Sequence, residues 1–187
     1  MKALFSLFWQ ICLLRRGPQD VPYAVPLLVM LVLGVAGLDF ASIPLLEAFA
    51  IPQTDPTAPA PPSPMIQMAA QLLMLGGWLL AVRLLLRFKR LQGRYVQTMS
   101  AALGTDLITS LPQMFFYVVV VSSPADSSLV GFAQVALLVL YIWDMLIKGH
   151  IYSQALNIGR VQGNLLSVAL WVGLYALSVS LLLPSSN

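Results

Sequence analysis

Five stretches of this chain are long and apolar enough to cross lipid: residues about 23–48, 65–88, 96–121, 129–147 and 165–183. Roughly 20 consecutive apolar residues span a bilayer. Hydrocarbon offers no water to backbone N–H and C=O groups, so each segment must satisfy them within its own helix. The pattern predicts an all-α membrane protein, a five-transmembrane-helix bundle. Of the 187 residues, 59% are hydrophobic and 9% charged, against roughly 25% charged in soluble domains. The links are too short for a separate soluble domain, so residues 17–187 read as one five-span membrane domain.

Cys12 is the single cysteine and His150 the single histidine. One chain can therefore build neither an internal disulfide nor a cysteine/histidine zinc cluster, and no metal or cofactor is expected. The net charge of +3 raises nucleic acid as a partner. The basic residues flank the spans, however, where the anionic headgroups of the lipid bilayer are the nearer partner, and nucleic-acid binding is not expected.

The remaining segments have distinct characters. In MKALFSLFWQICLL, Lys2, Ser6 and Gln10 recur every four positions and leave an apolar face with Phe5, Phe8 and Trp9. Residues 1–16 thus read as an N-terminal interfacial amphipathic helix. No small-residue cleavage site follows, which argues against a removed leader. Residues 51–64, IPQTDPTAPAPPSP, read as a proline-rich outside loop of extended character. Gly76 and Gly77 permit close helix approach in the second span. No repeat relates the two halves, so the inverted-repeat signature of many transporters is missing.

All ten basic residues fall on one side of the predicted spans: Lys2, Arg15 and Arg16; Arg83, Arg87, Lys89, Arg90 and Arg94; Lys148 and Arg160. The positive-inside rule places that side, and the N-terminus, in the cytoplasm and the C-terminus outside. The short loops suit a bacterial inner membrane.

Several polar side chains stand out against this background. Asp144 precedes Lys148 by four residues, and beside Trp143 the two read as an ion pair snorkelling to the headgroups. Thr105, Asp106, Thr109 and Gln113 share one face of the third span, which must turn from lipid. Counting back from the turn at Gly93 brings Arg83 near Asp106, and a structural ion pair between them is expected. Arg83, Arg87, Arg90 and Arg94 form a basic stripe suited to headgroups or to an acidic partner. Asp39 is an intramembrane acid, a functional-site hypothesis by default. With no second acid predicted at its depth, a structural hydrogen bond is the simpler expectation.

Catalysis finds no pattern. Nucleophile elbow, HExxH, P-loop and dinucleotide fingerprints are all missing, and His150 reads as a headgroup-level loop residue. No catalytic residue is assigned.

Trp143 near the end of span four, then Gly149, Ala155 and Leu156 in a short cytoplasmic link, then a final span from Leu165, resemble the Yip family of small five-span membrane proteins. The resemblance covers roughly residues 18–184. Eukaryotic Yip members carry a long polar cytoplasmic N-terminus and are associated with Rab-type GTPases and vesicle traffic; this sequence looks more like the short bacterial members. The resemblance implies the five-span fold. The function expected first is a non-enzymatic membrane scaffold or accessory subunit that associates with other membrane proteins or with itself as a homo-oligomer. The alternatives are a small transporter or channel using Asp39, Asp106 and Gln113, and, more remotely, a lipid-headgroup enzyme using His150 and Asp144.

Overall fold

The computed structural model describes residues 2–51 and 62–182, and among them every regular element is helical. Helix α1 (Lys2–Cys12) leads through a short 3-10 turn, Pro18–Asp20, into α2 (Val25–Phe49). Then come α3 (Pro64–Phe88), a second turn Gln92–Arg94, α4 (Tyr95–Ser122), α5 (Ser128–Ala155) and α6 (Arg160–Leu182). Helices α2 to α6 are long and apolar enough to cross a membrane. The chain is an integral membrane protein. Most of the outside loop expected at residues 51–64 lies outside the described residues, as does residue 183 at the expected end of the last span.

The helix ends have local causes. The Ser63 hydroxyl accepts from the Ile66 N–H at the start of α3, and the Ser127 hydroxyl accepts from the Leu129 N–H at the start of α5. Each satisfies one of the donors a helix N-terminus leaves free. Helices α1, α3 and α5 all stop with a left-handed residue, Leu14, Arg90 and Asn157 respectively. The N–H after each bonds back five residues, Arg15 to Gln10, Leu91 to Leu86 and Ile158 to Ser153, closing the last turn.

The spatial order of the spans is not their chain order. Helix α4 packs between α2 and α5, α5 against α6, α6 against α3, and α3 against α2. The five spans thus close a ring. Their outer faces carry exposed apolar residues such as Met30, Leu33, Phe115 and Phe132, as lipid-facing helices should. The most tightly buried side chains, among them Ile11, Leu86, Met99, Leu103, Ile147 and Ile151, gather at the end where α1 docks.

Helix α1 is part of that plug. Leu7, Phe8, Ile11 and Cys12 are buried against the bundle, while Phe5 and Trp9 remain exposed. Phe8 therefore faces protein, not lipid as the sequence reading has it. Its ring lies where a Cβ on Gly104 would stand, within 2.5 Å of its atoms, so only glycine lets α1 approach α4 this closely. Trp143 donates from Nε1 to the Cys12 carbonyl oxygen at 3.1 Å and ties α1 to α5.

Two boundaries differ from expectation. Helix α5 continues to Ala155, past residue 147, and α6 begins at Arg160 instead of near residue 165. The intervening polar residues are helical because they find partners inside the bundle: Tyr152 meets Trp78, and His150 Nε2 lies 3.1 Å from the Arg16 carbonyl oxygen and 2.8 Å from Gln154 Nε2. His150 is thus a buried helical residue, not a loop residue. Of the two glycines noted in α3, Gly77 abuts Leu174 of α6, whereas Gly76 has open space around it.

Helices α5 and α6 approach closely at Gly149 and Gly163. A Cβ on Gly163 would stand 2.3 Å from the Gly149 carbonyl oxygen and 2.9 Å from Ser153 Cβ, whereas one on Gly173 meets nothing within 4 Å. Gly163→Ala is expected to destabilise the protein by about 1–3 kcal/mol through overpacking. Gly173→Ala should be neutral or stabilising by up to about 1 kcal/mol through helix propensity. Thermal unfolding of the two variants in detergent checks the contrast.

Candidate functional site

The chain's intramembrane charges converge. Lys148 of α5 extends its ammonium to Asp106 Oδ1 of α4 at 2.7 Å and to Asp144 Oδ2, one turn earlier on its own helix, at 2.6 Å. The three side chains are 17%, 20% and 11% exposed respectively. Asp144 Oδ1 accepts in turn from the Thr109 hydroxyl at 3.2 Å. The ammonium also sits 4.9 Å from the centre of the Trp78 ring, a cation–π contact. Trp78 Nε1 donates to the Tyr152 hydroxyl at 2.5 Å, joining α3 to α5 beside the cluster.

This cluster forms part of the wall of a half-open cavity of about 400 Å³ between the five spans. Every span contributes: Asp39 from α2, Gln71 and Trp78 from α3, Asp106 and Gln113 from α4, Tyr141 and Lys148 from α5, Trp171 and Ser178 from α6. Among the described residues no side chain pairs with the Asp39 carboxylate. Gln71 Nε2 donates to the Ser42 hydroxyl at 3.5 Å, while its Oε1 is buried with no partner there. One ammonium faces three carboxylates, so the cavity holds an excess of negative charge when all are ionised. A low-dielectric interior tolerates that poorly, and a proton or a bound cation must offset it.

The site departs from the sequence reading at four places. Asp144 and Lys148 do pair, but inside the bundle and not at the headgroups, because α5 runs on well past them. Asp106 pairs with Lys148 and not with Arg83, which is exposed on α3. The physical reason is the helix order: α4 is flanked by α2 and α5, so its polar face meets α5. Asp39 does have other acids across its cavity, Asp106 and Asp144. Finally, the four-arginine stripe is broken. Helix α3 ends at Phe88, and only Arg83 and Arg87 lie on it.

Arg94 has another task. Its Nη1 donates to the Gln154 and Ala155 carbonyls and to Asn157 Oδ1 at 3.0–3.3 Å, closing the C-terminus of α5, where a cation is favoured. Thr105 bonds to the Ala101 and Ala102 carbonyls and is sealed in the core, while Gln113 lines the cavity. A second hollow of about 450 Å³ lies at the α1 end, beside Pro18, Gln97 and Gln154, but its one charged wall residue is the committed Arg94. Burial, helped by the charge of Asp144, pushes the Cys12 thiol up to about 12, so it stays protonated and unreactive.

The sequence reading missed Gln71, Trp78, Tyr141, Tyr152, Trp171 and Ser178 as cavity residues. Gln71 and Ser178 carried a signal, being polar within apolar runs. The aromatics carried none, since tryptophan and tyrosine serve equally well at headgroup depth.

Comparison with protein families, with curated proteins and with solved structures finds no match for this chain.

Breaking the cluster one-sidedly should cost most. Lys148→Met leaves two inward-facing carboxylates without their cation and is expected to destabilise the fold by about 3–5 kcal/mol. The triple variant Lys148→Met/Asp106→Asn/Asp144→Asn should recover most of that loss, and exposed Arg83→Gln should stay within about 0.5 kcal/mol. Denaturant titration in detergent reads all three.

Proposed function

We propose that this protein is a small, non-enzymatic, ion- or solute-handling membrane protein, a transporter or channel whose site is the central cavity. The observation that carries this reading is the convergence of Asp39, Asp106, Asp144 and Lys148, from three helices, in a cavity that all five spans line. The Lys148 cluster alone would serve to orient helices, but Asp39, with no partner for its carboxylate among the described residues, adds nothing to packing and costs desolvation. Intramembrane acids that face a cavity mark proton and ion paths. In this reading the α1 end, rich in arginine, is cytoplasmic and is closed by the packed core, and the membrane is a bacterial inner membrane.

A second reading, the scaffold or accessory subunit, has one observation in its favour. Arg83, Arg87 and Arg90 are exposed, with no carboxylate paired to them among the described residues. They suit anionic headgroups or the acidic face of another membrane protein. Membership of the Yip family belongs with this reading.

Reconstitution into vesicles separates the two. Wild-type protein should carry protons, sodium or potassium across the bilayer, and Asp39→Asn or Asp106→Asn should lower the flux about tenfold or more, the value of one charged contact. Arg87→Gln should leave it unchanged. Wild-type vesicles no more permeable than empty ones would overturn the ion-handling reading and leave the scaffold.

A further inference from the structure

We infer that the central cavity takes an organic monocation with an apolar or aromatic body and an ammonium head, bound between Asp39 and an aromatic wall. This rests on the ion- or solute-handling reading and names the ligand class of that site.

Three observations converge on it. The carboxylates outnumber Lys148, and that lysine occupies Asp106 and Asp144, leaving Asp39 as the acid without a cation among the described residues. The ligand's charge is therefore positive, and its place is at Asp39. Next, part of the wall is aromatic and opens toward the bundle surface, where Trp171 and Tyr175 are 42% and 54% exposed, and it offers the apolar body of a cation a surface. Tyr141, Trp171 and Tyr175 follow one another at 6.3 Å and 5.6 Å between ring centres, the last two stacked within 5° of parallel. Aromatic faces attract ammonium groups, and Trp78 already does so with Lys148 at 4.9 Å. Last, Gln71 lines the cavity too, its Nε2 donating to the Ser42 hydroxyl at 3.5 Å, so the wall that meets an ammonium is polar as well as aromatic.

The same features disfavour a tightly coordinated metal ion as the bound ligand, as distinct from protons, sodium or potassium in passage. Among the described residues no three histidine, cysteine or acidic side chains are disposed to hold a metal. A cavity of about 400 Å³ is also far larger than a bare ion fills, and falls in the range of about 300–1,000 Å³ typical of small-molecule sites.

Equilibrium binding of radiolabelled phenethylammonium to the full chain in lipid nanodiscs, with empty discs subtracted, tests the inference. The expected result is saturable binding that unlabelled phenethylammonium displaces and its uncharged analogue 2-phenylethanol does not. Asp39→Asn should weaken it about tenfold or more, and Trp171→Leu about two- to thirtyfold. Should Asp39→Asn fail to fold, Trp171→Leu and the uncharged analogue on wild-type protein still decide. Displacement by 2-phenylethanol as effective as by phenethylammonium, or binding no greater than to empty discs, overturns the inference. If proton, sodium or potassium flux persists while phenethylammonium does not bind, this inference falls and the ion-handling reading stands; if both are missing, both fall.

Discussion

A lysine ammonium in the interior of a lipid-embedded bundle needs carboxylates to meet it, and Lys148 takes one from each of two helices. That requirement orients α4 and α5 together. Asp106 and Thr109 must face α5, and Asp144 must face α4 for Thr109 to reach it. Because these groups are largely buried, leaving any one of them alone costs several kcal/mol, so the rotation of both helices about their axes is strongly specified. Apolar packing between lipid-exposed helices supplies no comparable selectivity, since lipid tails are as apolar as leucine.

From that pairing the rest of the architecture follows in steps. With α4 and α5 joined, α2 covers the other side of α4 and α6 the other side of α5, and α3 closes the ring between α2 and α6. At the α1 end the ring is filled: Met99, Leu103, Ile147 and Ile151 are fully buried, and the Phe8 ring seals the groove over Gly104. Beyond the cluster, polar and aromatic groups such as Gln113, Tyr141 and Ser178 join apolar ones such as Val35, Leu75 and Leu174 around a cavity. One end of the bundle has a packed apolar core with a hollow at its margin, and the other surrounds a charged space. That asymmetry gives a transporter or channel reading a structural basis, because a path needs both a site and a barrier.

Much of this was legible in the residues themselves. The five spans follow from hydropathy, and the inward turn of Asp106, Thr109 and Gln113 follows from their spacing on one face. What could not be read was the partner of that face. Assuming that consecutive helices are neighbours leads to Arg83, whereas α3 and α4 touch only lightly and α4 gives its polar side to α5. The segment from Lys148 to Ala155 misled for a related reason. A lysine, a histidine, a tyrosine and a serine in a row look like a headgroup link when their partners are unknown; Asp106, Trp78 and the Arg16 carbonyl, all distant in sequence, turn them inward. The arginine stripe failed locally, at a turn that Arg90 enters with a positive φ.

A water-reachable, negatively charged cavity among the five spans makes a thiol on its wall reactive and a thiol on the lipid face inert. Ser110 lines the cavity, while its neighbour Leu111, 63% exposed on the bundle surface, faces lipid. With the single native thiol removed by Cys12→Ala, Ser110→Cys and Leu111→Cys variants in membranes would be treated with cationic methanethiosulfonate-ethylammonium, which reacts with thiolates and so needs water at the sulfur. The expected result is rapid modification at position 110, slower with an anionic analogue, and none at 111. Equal inertness at both positions would show a dry, solid bundle and contradict the account.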